Sequence, residues 1–124
     1  MSISLHYSAR RRQTLSEKER QAVDALMATY SVDDQIEHWN QTGAGPNWES
    51  FPLYSHPLDG PDTILEGATK LPNNSQDGFW MGVLHLCGAL SELRRLLPDA
   101  NWAVHIDGHD IHWDEKQQAY DPSV

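Results

Sequence analysis

Cysteine is almost missing from these 124 residues: Cys87 stands alone. No disulfide can form within the chain, and no cage of several thiolates can hold a metal. Flanked by leucines, Cys87 reads as an inert core thiol rather than a nucleophile. Long apolar runs are missing too, and none approaches the roughly 18 residues of a membrane span. No apolar signal-type segment follows the first residues. Together these absences predict a cytoplasmic protein that does not enter membranes. Cations are scarce, with nine Lys and Arg against eighteen Asp and Glu, for a net charge of −9.

What is present is unevenly placed. Residues 1–20 carry Arg10, Arg11, Arg12, Lys18 and Arg20 against Glu17 and Glu19, a balance of +3, and the rest of the chain carries −12. Such a field repels phosphate and steers cationic partners, so direct nucleic-acid binding is not expected. The Arg10–Arg12 triplet reads as a solvated strand exit. Hydrophobic residues make up 39% of the chain, including five Trp, enough core mass for one domain over residues 1–124.

Ile3, Leu5 and Tyr7 alternate with Ser4, His6 and Ser8, the period of a half-buried strand. Ser16 followed by Glu19 is a capping box, and Val23, Leu26, Met27 and Tyr30 supply the apolar stripe of the helix it starts. Ser31 to Asp34 repeats a cap signal, and Val32, Ile36 and Trp39 form a second stripe out of phase with the first. Two helices, or one bent helix, therefore end near Thr42-Gly43. Residues 48–54 and 63–70 read as strands joined by a turn-rich segment. Ser75 caps a central helix over about 76–97, whose face of Phe79, Val83, Leu86, Leu90, Leu93 and Leu97 is widened by Trp80, Leu84 and Cys87. Met81, His85, Gly88 and Glu92 are left as its wet strip, and Pro98 ends it.

The segment from Trp102 to Trp113 predicts a hairpin with a turn at Asp107-Gly108 or at Gly108-His109. Either turn puts Trp102, Val104, Ile106, Ile111 and Trp113 on one face and His105, Asp107, Asp110 and His112 on the other. The first pairs Trp102 with Trp113 and His105 with Asp110; the second makes His105 and His112 neighbours. Residues 115–124 read as a polar, loosely held tail with Tyr120 as its anchor. The predicted fold is α+β: a mainly antiparallel sheet of about five strands with two or three helices on one face. Its order matches the ferredoxin-like βαββαβ pattern plus a C-terminal hairpin strand.

No catalytic triad, phosphate loop or established metal-ligand spacing occurs, and no cofactor is expected. Three function classes follow. The first is a small acidic binding or inhibitor protein that occludes a basic protein partner, with Asp107, Asp110, Asp114, Glu115, Asp59, Asp62 and Glu66 as contact groups. In size, charge and missing motifs this profile is similar to that of immunity proteins, which neutralise cationic nucleases or other toxins, and of inhibitors that mimic nucleic-acid charge. The second is a metal-assisted enzyme using His105 and His112 as candidate ligands with Asp107 or Asp110. The third is a scaffold or adaptor domain whose acidity only confers solubility.

Overall fold

A computed structural model describes residues 3–49 and 62–123. Along the chain run β1 (Ser4–Arg10), α1 (Glu17–Thr29), α2 (Asp33–Thr42), β2 (Thr63–Lys70), α3 (Gln76–Leu96), β3 (Asn101–Ile106), β4 (His109–Asp110), β5 (His112–Asp114) and β6 (Ala119–Asp121). The fold is α+β. One antiparallel sheet has the order β2-β1-β3-β4, and β5 and β6 form a second, two-stranded sheet. Of the expected 48–54 strand, Trp48 and Glu49 lie in a non-strand segment, and the remainder falls outside the described residues.

Strand alternation fixes the two faces of the main sheet. Leu5 lies between Thr69 and Ile106, Tyr7 between Gly67 and Val104, and Ala9 between Leu65 and Trp102. This face joins Val23 of α1 and Val83, Leu86, Cys87, Leu90 and Leu93 of α3 in one core. Leu90, Leu93 and Leu97 are fully buried, each contributing about 2 kcal/mol by removal from water. Within that face the Tyr7 hydroxyl and Thr69 Oγ1 lie 2.7 Å apart and share a hydrogen bond. Burial pushes the phenol's pKa up, against the hydrogen bond with Thr69.

The helices begin where their caps dictate. The Ser16 side chain accepts from the Glu19 N–H, and the Glu19 carboxylate accepts from the Ser16 N–H. Ser75 caps α3 by accepting from the Gly78 N–H at 2.9 Å. Gly43, at φ +68°, turns the chain out of α2 in the left-handed conformation. The first two helices are separate, the first of the two arrangements that the phase shift between their stripes allows.

The C-terminal hairpin differs from expectation beyond its turn. Asp107 (φ +48°) and Gly108 (φ +81°) make a two-residue turn, with His105 opposite Asp110 and Ile106 opposite His109. The Ile111 N–H still donates to the Val104 carbonyl at 2.9 Å, but Trp102 and Trp113 do not pair. The strand breaks at buried Ile111, and residues 112–114 leave to join β6. The supposed tail is the partner that draws them away. Tyr120 is buried, its N–H donates to Ser91 Oγ at 2.9 Å, and its ring meets Trp113 edge-on at 4.9 Å. The Arg94 guanidinium lies 4.2 Å over the Trp113 ring and donates to the Tyr120 hydroxyl, a cation–π contact that closes the small sheet onto α3.

Candidate functional site

The outer face of the main sheet carries the residues that alternate away from the core. His6 is the direct neighbour of His105 across β1 and β3, and their rings stack at 5.0 Å with planes 10° apart. Nδ1 of His105 is buried and meets no hydrogen-bond partner among the described residues. The stack borders a shallow groove with Ser8, Glu66 and Ala103. The pairing of His105 with His112 does not occur, because the Asp107-Gly108 turn sets the register and β5 leaves the sheet. Among the described residues no group of three or more His, Cys, Asp or Glu side chains is arranged to hold a metal ion. The expected ligand pair is thereby taken apart, and its true neighbour, His6, lies almost a hundred residues away in sequence.

The predicted contact carboxylates do not form one patch. Asp107 and Asp110 are exposed at the β3–β4 turn, at the end of the sheet where β3 finishes. Asp62 lies at the other end, where its carbonyl accepts from the Arg11 N–H. Glu66 sits mid-strand on the outer face, paired with Ser8. Asp114 and Glu115 belong to the second sheet, and Asp114 Oδ1 accepts the N–H groups of Lys116 and Gln117 in the β5–β6 turn. Asp59 is outside the described residues.

The arginine triplet is divided as well. Arg11 is a clamp: its guanidinium donates to both Glu19 oxygens, to Asp99 Oδ1 and to the carbonyls of Gln13 and Thr14. The Arg11 guanidinium holds the Glu19 carboxyl down to about 2. Arg12 is exposed. The positive end of the chain is thus partly consumed in tying β1 to α1 and to the turn after α3.

The first turns of α3 show what sequence reasoning missed. Trp80, Met81 and Leu84 are 44%, 52% and 51% exposed, although the widened stripe assigns Trp80 and Leu84 to the core. Cys87, placed in the same stripe, is buried, and its thiol is pushed up to about 11 mainly by desolvation. A helix apolar over most of its circumference does not reveal which arc the sheet covers; that depends on packing. Gly78 and Gly82 set the arc here. A Cβ at Gly82 would come within 2.5 Å of Pro72, and one at Gly78 within 3.2 Å of Pro46. The glycine face therefore turns inwards against these two prolines, and Trp80, Met81 and Leu84 turn outwards.

Beside this helix a cavity of about 190 Å³ opens between the α1–α2 corner, the end of β2 and the segment before residue 50. Its walls include Tyr30, Trp48, His85, Asp33, Glu49 and Thr69. The His85 ring is met edge-on by Tyr30 and by Trp48, each at 5.4 Å. His85 Nε2 lies 2.8 Å from the Tyr30 carbonyl. Trp48 is half-buried in this wall. Comparison with family models, with curated proteins and with solved structures finds no match.

Proposed function

We propose that this chain is a small acidic binding protein that occludes a basic protein partner, in the manner of toxin-neutralising immunity proteins, and that it acts in the cytoplasm. The observation that carries this reading is the exposed Trp80–Met81–Leu84 strip on a chain whose residues beyond 20 carry −12. Large apolar side chains exposed together mark interaction surfaces, and tryptophan is enriched among the residues that dominate binding energy. The basic chemistry of the partner follows from charge complementarity. Between Gln76 and Glu92 the helix has carboxylates at Asp77 and Glu92 and no Lys or Arg.

Chain direction puts the acidic hairpin tip near the same end. β2 finishes at Lys70 opposite Ser4, β3 finishes at Ile106 opposite Leu5, and α3 starts just after β2. Asp107, Asp110 and the first turns of α3 therefore occupy one end of the molecule, and Asp62 with the arginine triplet the other. We place the contact on the former, with Trp80 and Leu84 as anchors and the hairpin carboxylates steering approach. Of the seven contact carboxylates expected from sequence, this keeps Asp107 and Asp110. The β2-β1-β3 order is also the one that a ferredoxin-like sheet would have.

Affinity capture from the source cell compares the unaltered chain with Trp80→Ser/Leu84→Gln and with Asp107→Lys/Asp110→Lys. The expected result is a basic protein retained by the unaltered chain and released by raised salt. Either double variant should weaken its binding at least about tenfold, the scale of one lost hot-spot contact. The partner's own activity should fall on stoichiometric addition of the chain. An acidic or neutral partner, or binding indifferent to both variants, defeats the proposal.

A further inference from the structure

The geometry points to the cavity between α2, α3 and the end of β2 as a receptor for a guanidinium group. Its volume of about 190 Å³ is below the roughly 300 Å³ at which pockets for larger ligands begin. It is above the about 150 Å³ of an apolar cavity that holds benzene. The scale suits one side-chain head group or a molecule of similar size.

The walls specify charge and shape. Tyr30, Trp48 and His85 provide aromatic surface, and their arrangement is held from several sides. The Tyr30 hydroxyl is hydrogen-bonded to Glu92, its carbonyl to His85, and its ring lies against Gly88, where a Cβ would sit 3.5 Å away. Aromatic surface attracts a cation, and a planar guanidinium also stacks on it.

The acceptors are distributed around the cavity. Asp33 comes from the first turn of α2, Glu49 from the opposite segment, and Thr69 from the core face of β2. Glu49 Oε1 accepts the Lys70 N–H at 3.1 Å, which fixes the carboxylate beside the opening. Lys70 also lines the cavity, although it alternates with Thr69 and pairs with Ser4, so its Cβ leaves the strand on the face opposite to Thr69; the two carboxylates still outnumber this one ammonium. Acceptors on separate walls suit the forked donors of a guanidinium better than the compact head of an ammonium. An anion would meet two carboxylates.

The inference deepens the reading of a basic partner, on which it rests for the source of the group; the chemistry of the cavity stands without it. An arginine of that partner, entering beside Trp80 and Leu84, would be its anchor. The same group on a free small molecule would satisfy the same walls.

The test follows the Trp48 indole and His85 ring resonances of the intact chain by NMR. The probes are n-butylguanidinium, its uncharged analogue n-butylurea, and an acetylated, amidated Gly-Gly-Arg-Gly-Gly peptide. Saturable shifts at both residues with n-butylguanidinium, with a dissociation constant on the order of 1 mM, are expected for a ligand this small. The urea should bind at least tenfold more weakly. Asp33→Asn/Glu49→Gln, checked for an otherwise unchanged amide spectrum, should weaken the cation at least tenfold and leave the urea unaffected. If the peptide binds as well as the small cation, the source is a polypeptide; if only the small cation binds, the source is a free molecule. Absence of saturable shifts with n-butylguanidinium, equal binding of the urea, or indifference to the double variant overturns the assignment. The capture experiment above is independent of all three outcomes, so this site can fail while the acidic binding surface survives.

Discussion

Ser91 stands in the middle of α3, where serine gains little from the helix itself. Its hydroxyl donates to the Cys87 carbonyl and accepts the Tyr120 N–H. One buried atom group therefore joins the longest helix to β6. Ser91→Ala would leave the Tyr120 N–H buried without its acceptor, a loss of about 1–3 kcal/mol. Urea denaturation should show that loss as a lower midpoint with an unchanged slope. A variant as stable as the parent would mean that the small sheet is not held through this contact. Composition gave no hint of it: a polar tail with a single aromatic reads as loose, because the acceptor that captures it is 29 residues back in sequence.

At the scale of elements, α3 separates two kinds of leucine. Leu90 is fully buried, whereas Leu84 is 51% exposed. Leu90→Ala should cost about 2–5 kcal/mol through lost transfer energy and a residual cavity. Leu84→Ala should stay within about 0.5 kcal/mol, the usual range for surface positions. Comparable losses measured by calorimetry or denaturant would mean that Leu84 is covered in solution. The span and start of this helix are legible in sequence, as is the capping box of α1, because caps act through neighbouring residues; the hairpin turn is legible only as a choice between Asp107-Gly108 and Gly108-His109. Met81 falls on the predicted wet strip and is exposed, but the outward turn of Trp80 and Leu84 is not legible, because Pro46 and Pro72 decide it from distant segments. The partner of His105 escapes for the same reason. Periodicity assigns it a face, but only the pairing of β1 with β3 supplies His6 as its neighbour. The departure of β5 was hidden because alternation continues smoothly through Ile111 while the strand itself changes sheets.

Over the whole molecule, acidic groups lie at both ends of the main sheet, Asp62 at one and Asp107 with Asp110 at the other. Arg11 is committed to Glu19 and Asp99 at one end, and the hairpin carboxylates and α3's bare apolar strip share the other. The Glu19 carboxyl is held at about 2, against an ordinary 4.5, by the Arg11 hydrogen bonds first. A folded-state value below the unfolded one stabilises the fold above about 4.5, and that contribution fades as pH falls towards 2. Asp121, lowered chiefly by its hydrogen bond with Ser123, acts with the same sign. Stability measured in urea should therefore decline between pH 5 and pH 2. Arg11→Met should flatten that decline and reduce stability at pH 6, and an unchanged acid slope would deny Arg11 its clamping role. The overall acidity and the +3 start were plain in composition. The pairing of Arg11 with Glu19 and Asp99, and the separation of Asp62 from Asp107 and Asp110, were not, since they depend on which way each strand runs.

The centre strand of the main sheet is made from residues 4–10, yet its two neighbours come from 63–70 and 101–106. The earliest segment must therefore wait for chain emerging far behind it, and closing such wide loops costs entropy before any contact repays it. Assembly should be slow by the standards of small proteins, on the order of milliseconds to seconds rather than microseconds. While it waits, β1 exposes two unsatisfied edges, the period when a newly made chain is most prone to self-association.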